Sequence, residues 1–174
     1  GNVIGSRKSL VASLEYGKPS EAAFTFMTGI TQDKDSLLGS TGSNAYSLSG
    51  SKSNTAFVAF KAQNQINNDL TLTGIATIAK SDMTRPDNSF INSATSVKSS
   101  SVSLIASQQN IMGDDSFSLS ISQPNRVDGG DMSIRLSNLA EADGSISYRN
   151  SNINLEPTGR QMVYGLSYRK DLDE

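Results

Sequence analysis

The 174 residues contain no histidine, no cysteine and no tryptophan. Without histidine there is no Ser-His-Asp triad, no imidazole general base and no usual zinc site. Without cysteine there is no thiolate nucleophile and no disulfide framework, so the chain suits any redox compartment. Aromatic residues are scarce at 6%, and the net charge is only −2, with no basic field to hold nucleic acid. No run of about 18 apolar residues occurs, which excludes a transmembrane helix. The first residues, "GNVIGSRKS", lack the apolar centre of a signal peptide. The chain is therefore expected to be a piece cut from something longer, folding as a single domain over residues 1–174.

What is abundant is serine, about one residue in six. Its placement is periodic. In "SFSLSISQPNRVDGGDMSI", residues 116–134, Ser116, Ser118, Ser120 and Ser122 alternate with Phe117, Leu119 and Ile121, the period of a strand with one wet and one apolar face. The same alternation runs through Leu10 to Tyr16, Ala22 to Phe26, "TAFVAFKA" at 55–62 and "DLTLTGIATIAK" at 69–80. It returns at Val102 and Leu104, Met132 to Leu136, Ile146 and Tyr148, Ile153 and Leu155, and Met162 to Tyr168. The serine-rich run 93–103 reads as a polar strand rather than a linker. Helical spacing is nearly absent, since "NLAEADGS" at 138–145 is too short and meets Gly144.

The fold class expected is all-β: an antiparallel up-and-down sheet, closed or partly closed into a barrel of roughly nine to eleven strands. Turns are expected at 16–21, 51–54, 66–69, 112–115, 127–131, 142–145 and 156–159, and a bulge or close backbone approach at Gly74. The segments 31–44 and 81–95 read as the two longer loops, where binding would sit.

Candidate chemistry is thin. Asp33 with Asp35 and Asp128 with Asp131 have a spacing that could offer oxygens to calcium, but a single copy in each place reads first as an Asp-rich turn bonding its own backbone. Glu141 with Asp143, or Glu156 with Asp115, is a carboxylate pair without a defined separation. The serines lack a partner base other than lysine or carboxylate. Tyr148-Arg149 and Tyr168-Arg169 fit the amphipathic edge of a strand better than a sugar platform. No catalytic residue, metal or cofactor is assigned.

"DDSFSLSISQPNRVDGGDMSIRL", then "DGSISYR" and "INLEPTGRQMVYGLSYR", together resemble the carboxyl-terminal, autotransporter-like β-domain of secreted subtilisin-like (S8 family) serine peptidases of Gram-negative bacteria. Ser122, Gln123 and Pro124, the hairpin glycine Gly129, and Pro157, Gly159 and Arg160 carry the resemblance. It implies a non-catalytic domain serving export, folding or surface retention of an upstream peptidase domain in the same precursor, which would be its partner. It also implies an extracellular, cell-surface or outer-membrane location. Two alternatives accompany it: an outer-membrane translocator barrel, and a surface adhesive protein that self-associates through strand edges. Few aromatics and a chain ending "RKDLDE" favour the soluble or peripheral form over the membrane barrel.

Overall fold

The computed structural model describes residues 6–38, 46–84, 86–87, 89–140 and 143–170. Eight strands follow one another: β1 (Arg7–Gly17), β2 (Ala22–Lys34), β3 (Lys52–Gln65), β4 (Leu70–Met83), β5 (Ile91–Gln109), β6 (Asp115–Ala140), β7 (Ile146–Asn154) and β8 (Val163–Lys170). All pair antiparallel, each of β1 to β6 with the next, and β6 carries both β7 and β8 on its other side. β7 lies along Asp131–Ala140 and β8 along Asp115–Ser122 of β6, so the two act as one descending ribbon interrupted at 155–162. The sheet is open among the described residues, with β1 at one edge and β7 and β8 at the other.

The up-and-down, all-antiparallel reading holds, and the serine run 93–103 is indeed strand. The strand count is lower than nine to eleven, for a definite reason. Phe117–Ile121 and Met132–Leu136 belong to one 26-residue strand rather than to the two arms of a hairpin. Pro124 and Gly129-Gly130, which local chemistry marks as a turn, instead sit at irregularities in the β5–β6 register, between Ser100/Val102 and around Lys98. Proline is tolerated in a strand where a ladder partner is missing or a bulge intervenes, and Pro124 has both, because neither β7 nor β8 reaches 123–130. Gly130 has a φ of +135°, and a Cβ there would come 2.7 Å from the Val97 Cα, so glycine is required by close packing of two strands.

Other local expectations shift in the same way. Residues 31–34 and 81–83 end β2 and β4, and 91–95 open β5, so the two long loops shrink to 35–51 and 84–90. Of the first, 39–45 lie outside the described residues. Lys52–Asn54 begin β3 rather than forming a turn. The β4 ladder runs regularly through Gly74, where an added Cβ would lie 3.4 Å from the Leu104 side chain, and the register break of the β4–β5 pair lies at Ser81/Met83. The short helical candidate falls partly in β6 and partly on 141–142, outside the described residues.

Viewed with β1 descending, the lower ends are joined by tight connections at 18–21, 66–69 and 110–114. Asn67 Oδ1 accepts the Asp69 and Leu70 amides at 2.9 and 2.8 Å. Asp115 Oδ1 accepts the Ile111 and Met112 amides at 2.7 and 3.1 Å, and Asp115 Oδ2 accepts the Tyr168 hydroxyl at 3.1 Å. The upper ends carry the longer connections 35–51 and 84–90, which fold onto one side of the sheet. Asp87 N donates to Ser49 O and ties the second to the first, and Asp35 N donates to Ser51 O across the base of the first. Leu48 from the first connection joins Met83, Ile91, Ala94, Val97 and Ile134 in a small buried cluster, with Leu37, Leu38, Val127 and Met132 packed against it. That upper corner is the hydrophobic core of the described chain.

Candidate functional site

Registers across the sheet assign each side chain to a face. Tyr16 pairs with Phe24, Phe24 with Ala62, Ala62 with Gly74, Gly74 with Leu104, Leu104 with Ile121 and Ile121 with Tyr164. Cross-strand partners share a face. One face therefore collects Leu10, Leu14, Phe24, Phe26, Ile30, Val58, Phe60, Leu72, Ile78, Leu104, Leu119 and Leu166. The opposite face collects serines and threonines, joined across strands by hydroxyl pairs: Ser9 with Thr31 at 3.1 Å, Thr55 with Ser81 at 2.7 Å and Ser107 with Ser118 at 2.9 Å.

Within β2 to β6 the exposure of the two faces is inverted relative to a protein folded for water, whereas β1, β7 and β8 are exposed on both faces. Along β2 the exposed positions are Phe24, Phe26, Thr28 and Ile30, whereas Thr25, Met27 and Thr31 are sheltered. Like residues compare directly: Ile78 is 63% exposed and Phe60 45%, while Ile75 and Phe57 on the other face are half-buried. A contiguous apolar surface of this extent is far larger than isolated exposed hydrophobics.

The apolar surface is a band with defined borders. On β1 it runs from Leu10 to Tyr16, on β2 from Ala22 to Ile30, on β3 from Ala56 to Ala62, on β4 from Leu70 to Ile78, and on β6 from Phe117 to Ile121. By the pairing registers its centre slips about five residues, roughly 16 Å, across the five strand spacings of about 4.8 Å from β1 to β6. The strands are therefore inclined by about 35° to the normal of the band, and the band stands about 20 Å tall. Tyr16, Phe24, Phe117 and Tyr168 lie along its lower border. Lys8, Gln32, Asn54, Lys80 and Lys98 lie along its upper border. In the lower part, Ala62, Gly74 and Ala106 leave an open trough of about 940 Å³ beside Leu72, Leu104 and Leu119.

A second locus gathers the residues that carry the family resemblance. Gln123 and Pro124 of β6 and Pro157, Gly159 and Arg160 of the 155–162 segment line one hollow of about 630 Å³. Arg126, which the sequence pattern did not single out, holds it together. Its Nε donates to Gly159 O at 3.2 Å, Nη2 to Pro157 O at 2.9 Å and Nη1 to Asp128 Oδ1 at 2.7 Å, and Nη2 lies 3.6 Å from Glu156 Oε1. Its guanidinium fork thus replaces the ladder that β6 lacks between β7 and β8. A hydrogen bond from the Ser100 hydroxyl, and then Arg126, hold the Asp128 carboxyl below its ordinary pKa. Ser122 lies outside this hollow, paired with Ser103 and Val163. Gly129 pairs with Lys98 and faces open space.

The remaining aspartates are dispersed. Asp33 takes the Arg7 guanidinium at 2.6 Å, Asp35 Oδ1 accepts the Gly50 amide at 2.6 Å, and Asp131 sits in the β6 ladder between Thr95 and Asn154. Among the described residues no group of three acidic side chains is placed to hold a metal ion. Comparison with known proteins finds no matching family model, no matching curated protein and no matching solved structure.

Proposed function

We propose that this chain is the membrane-embedded sheet of an outer-membrane-type β-barrel, a non-catalytic module whose apolar band faces lipid and whose serine and threonine face lines a wet interior. The inverted exposure of the two faces carries this reading. In water, leaving such a band outside forgoes about 25 cal/mol for every Å² of apolar surface, a loss that hydrocarbon removes. Three further features support it. The tilt of about 35° and the height of about 20 Å are close to the 35–45° and about 25 Å of outer-membrane barrels. The connections 18–21, 66–69 and 110–114 at one end are short, two of the three at the other end, 35–51 and 84–90, are longer, and aromatic side chains edge the short-turn border. Lipid leaves no water for unpaired strand edges, so the reading requires that β1 and the β7/β8 edge be closed by further strands or by a second copy.

A second reading is favoured by one observation. The residues resembling those of exported subtilisin-like peptidases, 123–124 and 157–160, converge on Arg126 although the strand β7 separates them in the chain. On that reading the module sits behind an exported peptidase and serves its export, folding or surface retention.

The deciding measurement for the first reading is refolding from denaturant with and without phosphatidylcholine vesicles. Vesicle-dependent β structure, with heat-resistant migration in detergent gels, supports insertion. A monodisperse β-rich species that ignores vesicles ends the membrane reading. The second reading is tested by fusing an exported passenger ahead of residue 1 and asking whether external protease reaches it on intact cells. A passenger retained inside ends that reading.

A further inference from the structure

The upper border of the apolar band contains a pairing that strand chemistry disfavours. Lys80 of β4 and Lys98 of β5 are direct cross-strand partners, and both are exposed. Like charges directly opposite each other destabilise a sheet unless something compensates. Neither lysine takes part in any of the ion pairs formed among the described residues. Two carboxylates stand near without pairing with them. Asp82, two positions along β4 on the same face, accepts the Ser96 amide at 2.7 Å, keeps its charge and lines a hollow with Lys8 and Lys80. Asp128, which lines a hollow with Lys80 and Lys98, is taken by Arg126 at 2.7 Å. Two open hollows meet at Lys80. One, of about 460 Å³, is floored by Ala56, Val58 and Ile78 of the band. The other, of about 530 Å³, has Lys8 on its far side with Leu10 and Ile30 between.

Resting on the membrane reading, we propose that Lys80 and Lys98, with Lys8 beside them, form an interfacial site for the phosphate of an anionic lipid headgroup, whose acyl chains lie against Leu10, Ile30, Val58 and Ile78. The charge, the position and the shape agree: two ammonium groups that form no ion pair among the described residues stand at the level where the band ends, directly above apolar floor. Lysine stems lie on apolar surface while their heads reach the headgroup layer, and each contributes about fivefold to the binding of an anionic surface.

The test compares the full chain with Lys80→Gln, Lys98→Gln and the double variant, each refolded into vesicles of phosphatidylcholine alone or with one third phosphatidylglycerol, followed by counting lipids retained on the protein in mild detergent. The expected result is a preference for phosphatidylglycerol in the parent, lowered about fivefold by each substitution and about twentyfold or more by both, with insertion into phosphatidylcholine unchanged. Lys61→Gln, on the polar face, is expected to keep the preference. Insertion without any phosphatidylglycerol preference, or a preference that survives the double substitution, overturns the site while leaving the membrane reading intact. Loss of the preference on adding inorganic phosphate at matched ionic strength also overturns it, because the ligand is then a free anion. No insertion into either vesicle overturns the membrane reading and this inference with it.

Discussion

The upper corner and the lower band of this sheet are built from the same alternating strands and obey opposite rules. In the corner, Val97 and Ala94 are fully buried and Met83, Ile91 and Ile134 nearly so, under Leu48 of the 35–51 connection. Farther down the sheet, on the other face, Leu104 is 58% and Leu14 71% exposed. Burial in the corner comes from chain folded over the sheet, and the band has none over it among the described residues. Alternation alone is therefore neutral about which side meets water; what covers each face decides it.

The largest effect expected from breaking this contrast is in the corner. Ile91→Ala removes buried side chain beneath Leu48 and should cost about 2–5 kcal/mol. Limited proteolysis within 46–51 should accelerate in water and in vesicles alike, because this core owes nothing to lipid. Leu104→Arg, at the centre of the band on β5, should cost about 2–4 kcal/mol of insertion free energy at mid-membrane. Ser103→Arg, one residue away on the polar face, should change insertion by less than about 1 kcal/mol. Vesicle refolding titrations that show equal costs for the two would mean that the faces are not partitioned between lipid and water.

A smaller effect is expected at the clamp. Arg126→Ala leaves the Pro157 and Gly159 carbonyls and Asp128 without their donor, a loss of about 1–3 kcal/mol. Hydrogen exchange should rise across 155–162 with little change in β1–β4, and Arg126→Lys should restore only part of the protection, since a single ammonium cannot supply the fork.

The smallest effect is expected at the lower turn. The Met112 amide first of all, with the Tyr168 hydroxyl and the Ile111 amide, holds the Asp115 carboxyl below its ordinary pKa, and the same hydrogen bond raises the Tyr168 phenol above its own. A carboxyl depressed on folding contributes stability in full above its unfolded value and loses it as pH falls through its folded value. Hydrogen exchange of 110–114 should therefore be flat at neutral pH and rise only in acid below the ordinary carboxylate range of about 4. Asp115→Asn should remove that acid dependence while Tyr168→Phe weakens it.

Much of the fold was legible because it is local. The period of two in Phe24-Thr25-Phe26 or Ser118-Leu119-Ser120 specifies strand whatever surrounds it, and tight turns such as 66–69 are made by their own side chains. The turn expected at 127–131, with its Gly129-Gly130, is a bulged strand instead, because a bulge and a turn use the same residues and the difference lies in whether the partner strand continues. β5 does continue past them, with Gly130 against Val97. Arg126 was missed for a related reason: its partners Pro157 and Gly159 are about thirty residues away, and no spacing rule links them.

The sequence by itself determined that this chain makes antiparallel strands, one face apolar and the other rich in hydroxyls, without histidine or thiol chemistry. Only the tertiary structure decided that the apolar face lies outside, that the band crosses the strands obliquely, and that Lys80 stands opposite Lys98. The physical reason is that side-chain alternation labels two faces without ordering them, whereas register, tilt and the placement of long connections are set by contacts between segments far apart in the chain.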